Sequence, residues 1–318
     1  LRVGLKTLRK RDNYKGLNLM QKITPFLWFD NNAEEAVNFY ASLFDNSKIL
    51  SMTRYDEVGA KISGQKPGSE MTVSFKLEGQ NFTALNGGPH FKINPSISFF
   101  VYCESKDKIN DLYNKLSEGG FVLMPLDKYD WSPKYAWVQD KFGLSWQLDV
   151  DKINNSQKIL PALLFVNEKN LRLKEAIIYY NSIFPDSKIM MESPYHPSVG
   201  LPDGSLLFAQ FKLSNYLFNA MSSIMKHEFD FNEAFSFVVN CKDQNEVDYY
   251  WDKLTYGGGN ESQCGWLKDK YGLSWQIVPT RLIELLDDPN QAKAQKVMMA
   301  MLKMKKIIIS DLENAYKN

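Results

Sequence analysis

The sequence predicts an α+β fold in which one unit of roughly 120–130 residues occurs twice in tandem. Three matches lead there. Ala136-Trp-Val-Gln-Asp-Lys-Phe-Gly-Leu-Ser-Trp-Gln-Leu148 corresponds to Gly265-Trp-Leu-Lys-Asp-Lys-Tyr-Gly-Leu-Ser-Trp-Gln-Ile277. Phe39-Tyr40, Leu43-Phe44 and Ser47-Lys48-Ile49 return as Tyr179-Tyr180, Ile183-Phe184 and Ser187-Lys188-Ile189. Ser98-Phe99 and Cys103 return as Ser236-Phe237 and Cys241. The matches keep one order while their offsets drift, which places small insertions in loops, where added length costs little.

Within the first unit, strand and helix signals alternate. Ile23 to Phe29 is a short apolar run, read as a strand and closed by Asp30-Asn31-Asn32. Asn32 with Glu35 three residues on predicts a helix N-cap and its reciprocating carboxylate. Ala36, Phe39, Tyr40 and Leu43 then keep helical spacing. Lys48 to Thr53, Met71 to Leu77 and Phe82 to Leu85 read as strands, completing a βαβββ module. Tyr55 to Glu70 is polar and contains glycine, which predicts a surface loop, with a lid as the alternative.

The same course then recurs. Ile97 to Tyr102 is a strand; Ile109, Leu112 and Leu116 mark one helix face, ended by Gly119-Gly120. Phe121 to Met124, Tyr135 to Gln139 and Ser145 to Val150 are three further strands. In the second unit Asp243 and Glu246 open the corresponding helix and Gly257-Gly258-Gly259 closes it. Two modules per unit form an open mixed-sheet barrel with helices outside, and so curved a sheet makes a groove for a small ligand. Past Pro279 the pattern is helical. Asp288-Pro289 reads as a cap with proline in the first turn, and Ser310 with Glu313 as a second capping box. Val297, Met298, Met301, Leu302 and Met304 form an apolar face, expected to pack on the chain's own barrel; a homodimer contact is the alternative. The expected divisions are therefore residues 21–152 and 158–280 for the two units and 281–318 for a C-terminal helical tail.

Bulk composition narrows the function. Of 318 residues, 44% are hydrophobic, and 38 basic side chains nearly cancel 37 acidic ones. No global field exists to attract nucleic acid or an anionic membrane, so neither is expected as a partner. No apolar stretch approaches the roughly 18 residues of a membrane span. Residues 1–20 carry a basic cluster (Lys6, Arg9, Lys10, Arg11, Lys15) without a long apolar core. They are expected to be a disordered or non-native extension ahead of a natural start at Met20, with a basic binding arm as the alternative. Only Cys103, Cys241 and Cys264 occur, with no C-x-x-C spacing. That argues for a reducing compartment, the cytoplasm, and against a zinc knuckle or disulfide framework.

Ile23-Thr-Pro-Phe-Leu-Trp-Phe-Asp30, Ala33-Glu-Glu-Ala36, Asn38-Phe-Tyr40 and Phe82-Thr-Ala-Leu-Asn-Gly-Gly-Pro-His-Phe91 resemble PhnB-like proteins, as do the two Gly-Leu-Ser-Trp-Gln strands. These belong to the vicinal-oxygen-chelate (VOC; glyoxalase/bleomycin-resistance/dioxygenase) superfamily. The resemblance implies tandem glyoxalase-like domains. Some such relatives carry the label 3-demethylubiquinone-9 3-methyltransferase. Asp30-Asn31-Asn32 follows the first strand, however, without the G-x-G loop that a usual S-adenosylmethionine site needs.

Metal-dependent members of the superfamily place one His or Glu on each of four inward strand positions. Threaded here, those positions fall near Pro25, Asn86, Ser96 and Gln147, and in the second unit near Ala162, Ser222, Ala234 and Gln276. Pro and Ala cannot ligate through a side chain, and Asn, Ser and Gln are weak neutral ligands. The three histidines, His90, His196 and His227, are scattered. No metal or other cofactor is expected.

The expected ligand site is the groove of the first unit. Asn86, Ser96 and Gln147 would supply hydrogen bonds, Phe29, Phe100 and Trp137 apolar walls, and His90 an approach from the Asn86-Gly-Gly-Pro-His90 turn. Alternatively, Gln147 and Gln276 satisfy backbone groups and the turn is only a connection. Trp146 and Trp275 point the other way, into the core. The expected function is binding or converting a small organic molecule without a metal; no catalytic residue is singled out. Non-catalytic sequestration is the alternative, although resistance-type relatives favour acidic grooves and this lining is neutral. A metal-dependent lyase, isomerase or dioxygenase is a third reading, opposed by the missing ligands.

Overall fold

The computed structural model describes residues 21–151 and 156–318, so the expectations for residues 1–20 lie outside the described residues. The first module comprises β1 (Ile23–Phe29), α1 (Ala33–Leu43), β2 (Lys48–Arg54), α2 (Glu57–Ser63), β3 (Glu70–Leu77) and β4 (Gln80–Asn86). The second comprises β5 (Ile97–Cys103), α3 (Lys106–Ser117), β6 (Phe121–Tyr129), β7 (Ser132–Gln139) and β8 (Ser145–Val150). The third holds β9 (Ile159–Phe165), α4 (Leu173–Ile183), β10 (Lys188–Pro194), β11 (Leu206–Leu213) and β12 (Tyr216–Ser222). The fourth holds β13 (Phe235–Cys241), α5 (Gln244–Thr255), β14 (Asn260–Glu261), β15 (Trp266–Lys268) and β16 (Ser274–Pro279). The tail forms α6 (Thr280–Leu286), α7 (Gln291–Met301) and α8 (Ile309–Lys317).

The modules build two mixed, open, eight-stranded sheets. The first runs β14-β15-β16-β13-β1-β4-β3-β2, the second β10-β11-β12-β9-β5-β8-β7-β6. Each sheet thus joins a module of one repeat to a module of the other. β1 lies antiparallel to β13, with Ile23 opposite Val239 and Leu27 opposite Phe235. β5 lies antiparallel to β9, with Ile97 opposite Leu163 and Val101 opposite Ile159. The repeat boundaries in the sequence therefore do not coincide with the sheets.

Alternation along the strands sends one face of each sheet into a shared core. Ile23, Leu27 and Phe29 of β1, Ile97, Phe99 and Val101 of β5, and Trp146, Leu148, Trp275 and Ile277 all belong to it. Phe99 meets Phe82 of β4 at 5.3 Å and Phe235 of β13 at 5.2 Å between ring centroids. The helix-bearing faces of the two sheets consequently face each other. Tyr40 of α1 and Phe44 just after it pack on Trp146, while Tyr180 of α4 and Phe184 just after it pack on Trp275. Both tryptophans are fully buried, as their alternation with the glutamines requires.

Each Gly-turn carries a buried carboxylate that ties strand to core. Asp269 accepts from Tyr271 N (2.8 Å), Leu273 N (3.1 Å), Trp275 Nε1 (2.9 Å) and the Tyr180 hydroxyl (2.7 Å). Asp140 accepts from Phe142 N, Leu144 N and Trp146 Nε1 in the same pattern. The Tyr40 hydroxyl, Tyr180's counterpart, also faces Asp140, but less closely than Tyr180 faces Asp269.

Several helix starts differ from their sequence expectations. Asn32 makes no side-chain cap; the first α1 amide, Ala33 N, donates instead to Asn86 Oδ1 (2.8 Å) from the end of β4. The cap expected at Asp243 forms, accepting from Glu246 N (2.9 Å). α7 is capped by Asn290 rather than Asp288, and Glu313 pairs with Arg281 instead of closing a box with Ser310. The Tyr55–Glu70 connection holds α2, whose Asp56 cap accepts from Gly59 N. Ala60 of α2 is buried, and Tyr55 anchors the segment by donating to Asn86 O (2.5 Å).

Burial also pushes the Cys103 and Cys241 thiols up to about 12, and raises Cys264. Thiolate is the reactive form. The native protein is expected to react only slowly with a disulfide reagent at pH 8 and to release all three thiols on unfolding. Prompt native reaction of Cys103 or Cys241, located by peptide mapping, would contradict this burial.

Candidate functional site

The seven residues expected to form one site are divided among several environments. Phe29 lies in the shared core, 3% exposed. Asn86 points to the same face of its strand, and its side chain is committed: Oδ1 caps α1 and Nδ2 donates to Glu70 O. His90 is exposed on the following turn. Ser96 is buried just before β5, where its amide donates to Asn94 Oδ1. Phe100, Trp137 and Gln147 do come together, on the outward face of the second sheet.

The glycines of the Asn86–His90 turn serve packing. A Cβ on Gly87 would stand 2.2 Å from the Trp28 ring, and Trp28 Nε1 donates to Gly88 O (2.8 Å). Glycine is needed there for close approach to the indole. The turn is a connection built around Trp28, with Pro89 and His90 exposed beyond that packing.

Across the outward face of the second sheet the side chains stand in register, with Phe100, Leu160 and Gln147 no more than 5% exposed. Leu160, Phe100, Gln147, Trp137 and Met124 stand side by side across β9, β5, β8, β7 and β6. Gln147 Oε1 accepts from the Tyr135 hydroxyl (2.7 Å) and its Nε2 donates to Ser98 Oγ (2.8 Å). Trp137 Nε1 donates to Ser145 Oγ (2.6 Å). Gln147 is therefore held by side chains rather than backbone groups. From the other repeat, Gln210 Nε2 donates to the Tyr102 hydroxyl (3.1 Å) and to Asn219 Oδ1 (3.0 Å). Beyond this row, Tyr102, Asp149 and Tyr135 are again neighbours in register. Asp149 accepts from the Ser132 hydroxyl, and burial raises its carboxyl above the usual range.

The first sheet's groove is lined differently. Phe26, Trp28 and Trp266 cluster edge to face, and Gln276 Nε2 donates to Ser236 Oγ (3.0 Å). Its β14–β15 hairpin is short, and the tail takes up the vacated length. Met304 O accepts from Cys264 N (2.7 Å) and Lys305 O from Gly265 N (2.8 Å). Val278 packs on the tail's own core of Leu282, Leu285, Val297, Ile307 and Leu312. Gln295 of α7 reaches Asp56 at the start of α2 (3.4 Å). Of the face expected to pack on the barrel, Val297, Met301 and Met304 instead join the tail's own cluster, which the barrel touches through Val278.

The threaded metal positions shift as well. Pro25, Asn86 and Ser222 alternate with the outward residues on β1, β4 and β12, and a slip of one residue reverses the face. The outward positions are Phe26, Thr83, Ser236 and Gln276 on the first sheet, and Asn219, Ala162, Ser98 and Gln147 on the second. Among the described residues no three His, Cys, Asp or Glu side chains gather in metal-binding proximity. No described helix is long and apolar enough to cross a membrane.

Sequence reasoning missed Tyr102, Tyr129, Trp131, Tyr135, Asp149, Gln210 and Asn219. Two-residue spacing from Phe100, Trp137 and Gln147 marks Tyr102, Tyr135 and Asp149. Gln210 and Asn219 had no such signal, because they enter through pairing with the other repeat.

Both sheets have the vicinal-oxygen-chelate fold. Glyoxalase I from Zea mays superposes with a TM-score of 0.52 over 80% of this chain and 91% of its own, at 10% identity. The 3-demethylubiquinone-9 3-methyltransferase family matches residues 21–149 and again 157–278; the chain belongs to this PhnB-like family and carries it twice. A putative 3-demethylubiquinone-9 3-methyltransferase, PhnB protein, from Bacillus cereus is 44% identical over 41% of this chain and 100% of its own, with a TM-score of 0.39. A protein from Staphylococcus aureus is 37% identical over 42% of this chain and 97% of its own, with a TM-score of 0.17. No curated protein matches the chain.

Proposed function

We propose that the chain binds a small, partly polar organic molecule in the outward groove of the second sheet and handles it without a resident metal. The observation that carries this reading is the joint lining of Phe100, Trp137, Tyr102, Gln147 and Asn219, apolar faces with a few fixed amides and hydroxyls. Such a mixture is typical of small-molecule sites. It moves the site from the first repeat's groove to one shared by both repeats. Neutral donors at the outward strand positions support metal independence. The family's methyltransferase label gains no support from the Asp30-Asn31-Asn32 turn after β1. Three free cysteines support a reducing compartment, the cytoplasm, as its location.

A metabolite screen by thermal shift tests the groove. Hits are expected to lose about tenfold in affinity in Gln147→Leu, through loss of hydrogen bonds in a desolvated groove, and to be unchanged in His90→Ala. If every hit ignores Gln147→Leu but is lost in Gln276→Leu, the site belongs to the first sheet and the proposal fails. About one tightly held transition ion per sheet in freshly purified protein would likewise sink the metal-independent reading.

A further inference from the structure

Resting on that groove assignment, we infer that its ligand carries an organic cation beside a flat ring, with Asp149 as counter-ion and Tyr129, Trp131 and Tyr135 as the aromatic wall.

The β6–β7 hairpin makes this end of the groove. Tyr129 and Trp131 stack with centroids 4.9 Å apart, and Tyr135 meets them edge-on at 5.6 and 5.7 Å. Trp131 is 63% exposed although its ring neighbours are partly or fully buried. An exposed indole fixed by two tyrosines is a preformed stacking surface, since its conformational freedom is already spent.

Asp149 stands next to Tyr135 and Tyr102 in strand register, on the outward face. Its neighbours are a hydroxyl, Ser132, and another carboxylate, Asp151. Among the described residues it has no ion pair with Lys, Arg or His. The nearby bases are turned elsewhere: Lys158 is held by Glu104 (2.6 Å) and Lys134 by Asn110 (2.5 Å). Nor does any described lysine or arginine cover the aromatic wall, although such contacts occur over Tyr179, Tyr250, Tyr271 and Tyr316. A half-buried carboxylate without a cation, on the same hairpin end as the exposed Trp131 ring, is complementary to an alkylated or protonated nitrogen. Ring quadrupole and carboxylate both attract positive charge, and the rings add area for a flat group.

The other groove provides an internal comparison. Cys264 stands where Tyr135 does and Val278 where Asp149 does, and the tail covers that end. At this end of the groove, then, the second sheet has the carboxylate and the tyrosine where the first has Val278 and Cys264.

Calorimetric titration with N-methylquinolinium and with neutral quinoline at pH 8 separates charge from shape. The wild type is expected to bind the cation about tenfold more tightly than quinoline, a typical gain for a partly desolvated cation–π and carboxylate contact. Asp149→Asn should abolish that preference while the protein still folds and still binds quinoline, because the amide oxygen still accepts from Ser132. Trp131→Ala should weaken both probes. Equal binding of both probes by the wild type, or a preference that survives Asp149→Asn, overturns the cation assignment and leaves the groove reading standing. No binding of either probe overturns the cation assignment, and the groove reading falls separately if the metabolite screen also maps elsewhere.

Discussion

Asp269→Ala is expected to destabilise the protein by about 4 kcal/mol, read as a fall in urea midpoint. The carboxylate satisfies four buried donors on three elements: two turn amides, the Trp275 indole and the Tyr180 hydroxyl. Alanine leaves all four without a partner in a site that is 2% exposed. Asp269→Asn retains an oxygen for the turn amides but presents an N–H2 toward Trp275 and Tyr180, so about half the loss is expected. A change below about 1 kcal/mol for the alanine variant would show that the turn relaxes around the gap.

The same carboxylate has a signed pH effect. Burial raises the Asp269 carboxyl above its usual value. The folded state then holds the proton more tightly, so this contribution is full below about pH 4 and is lost as pH rises through the folded value. Glu175 works oppositely. Hydrogen bonds from Arg172 first, then Lys270 and Tyr271, hold it at about 2, against 4.5 for a free glutamate. Its stabilisation is present above pH 4.5 and lost toward pH 2. Asp269→Asn should flatten the former slope and Glu175→Gln the latter, in denaturation curves collected from pH 2 to 7.

Separating the repeats is expected to have the second large effect. Residues 21–151 alone contain β1 without β13 and β5 without β9, so neither eight-stranded sheet is complete. Two interior strands become edges, and core residues such as Phe99 lose the Phe235 ring. Exposed strand edges of this kind recruit a partner. The isolated half should therefore not persist as a monomer. It should self-associate, with the β5 of one copy taking the place of β13 against β1 of another, or reassemble with residues 156–318 when co-expressed. Light scattering after size exclusion decides the matter. A cooperatively folded monomeric half would mean that its two modules can close on each other, against the pairing described here.

The duplication, the strand-helix order and the core roles of Trp146 and Trp275 were legible because they rest on local period and on alternation along a strand. The Asp243 cap was legible for the same reason, its acceptor lying three residues from its donor. Asn32 misled because the start of α1 is held from outside the helix, by Asn86, 53 residues away, accepting from Ala33 N. Asn86 in turn looked like a ligand group because its partner was invisible in the chain order. Asp149 was overlooked because its charge matters only where the groove lacks a lysine or arginine, and that depends on every strand around it.

The sequence by itself determined that two similar units exist, where most strands and helices fall, and that Trp146 and Trp275 face the core, but it put Phe29 and Asn86 on the wrong face of their strands. Only the tertiary structure decided that β1 joins β13 and β5 joins β9, and hence that the candidate groove takes residues from both repeats. The physical reason is the duplication itself. β5 and β13 carry nearly the same residues, so local preference cannot choose between them as partners for β1. The choice is made by burial of one continuous core between the sheets and by the tail that completes the short β14–β15 hairpin.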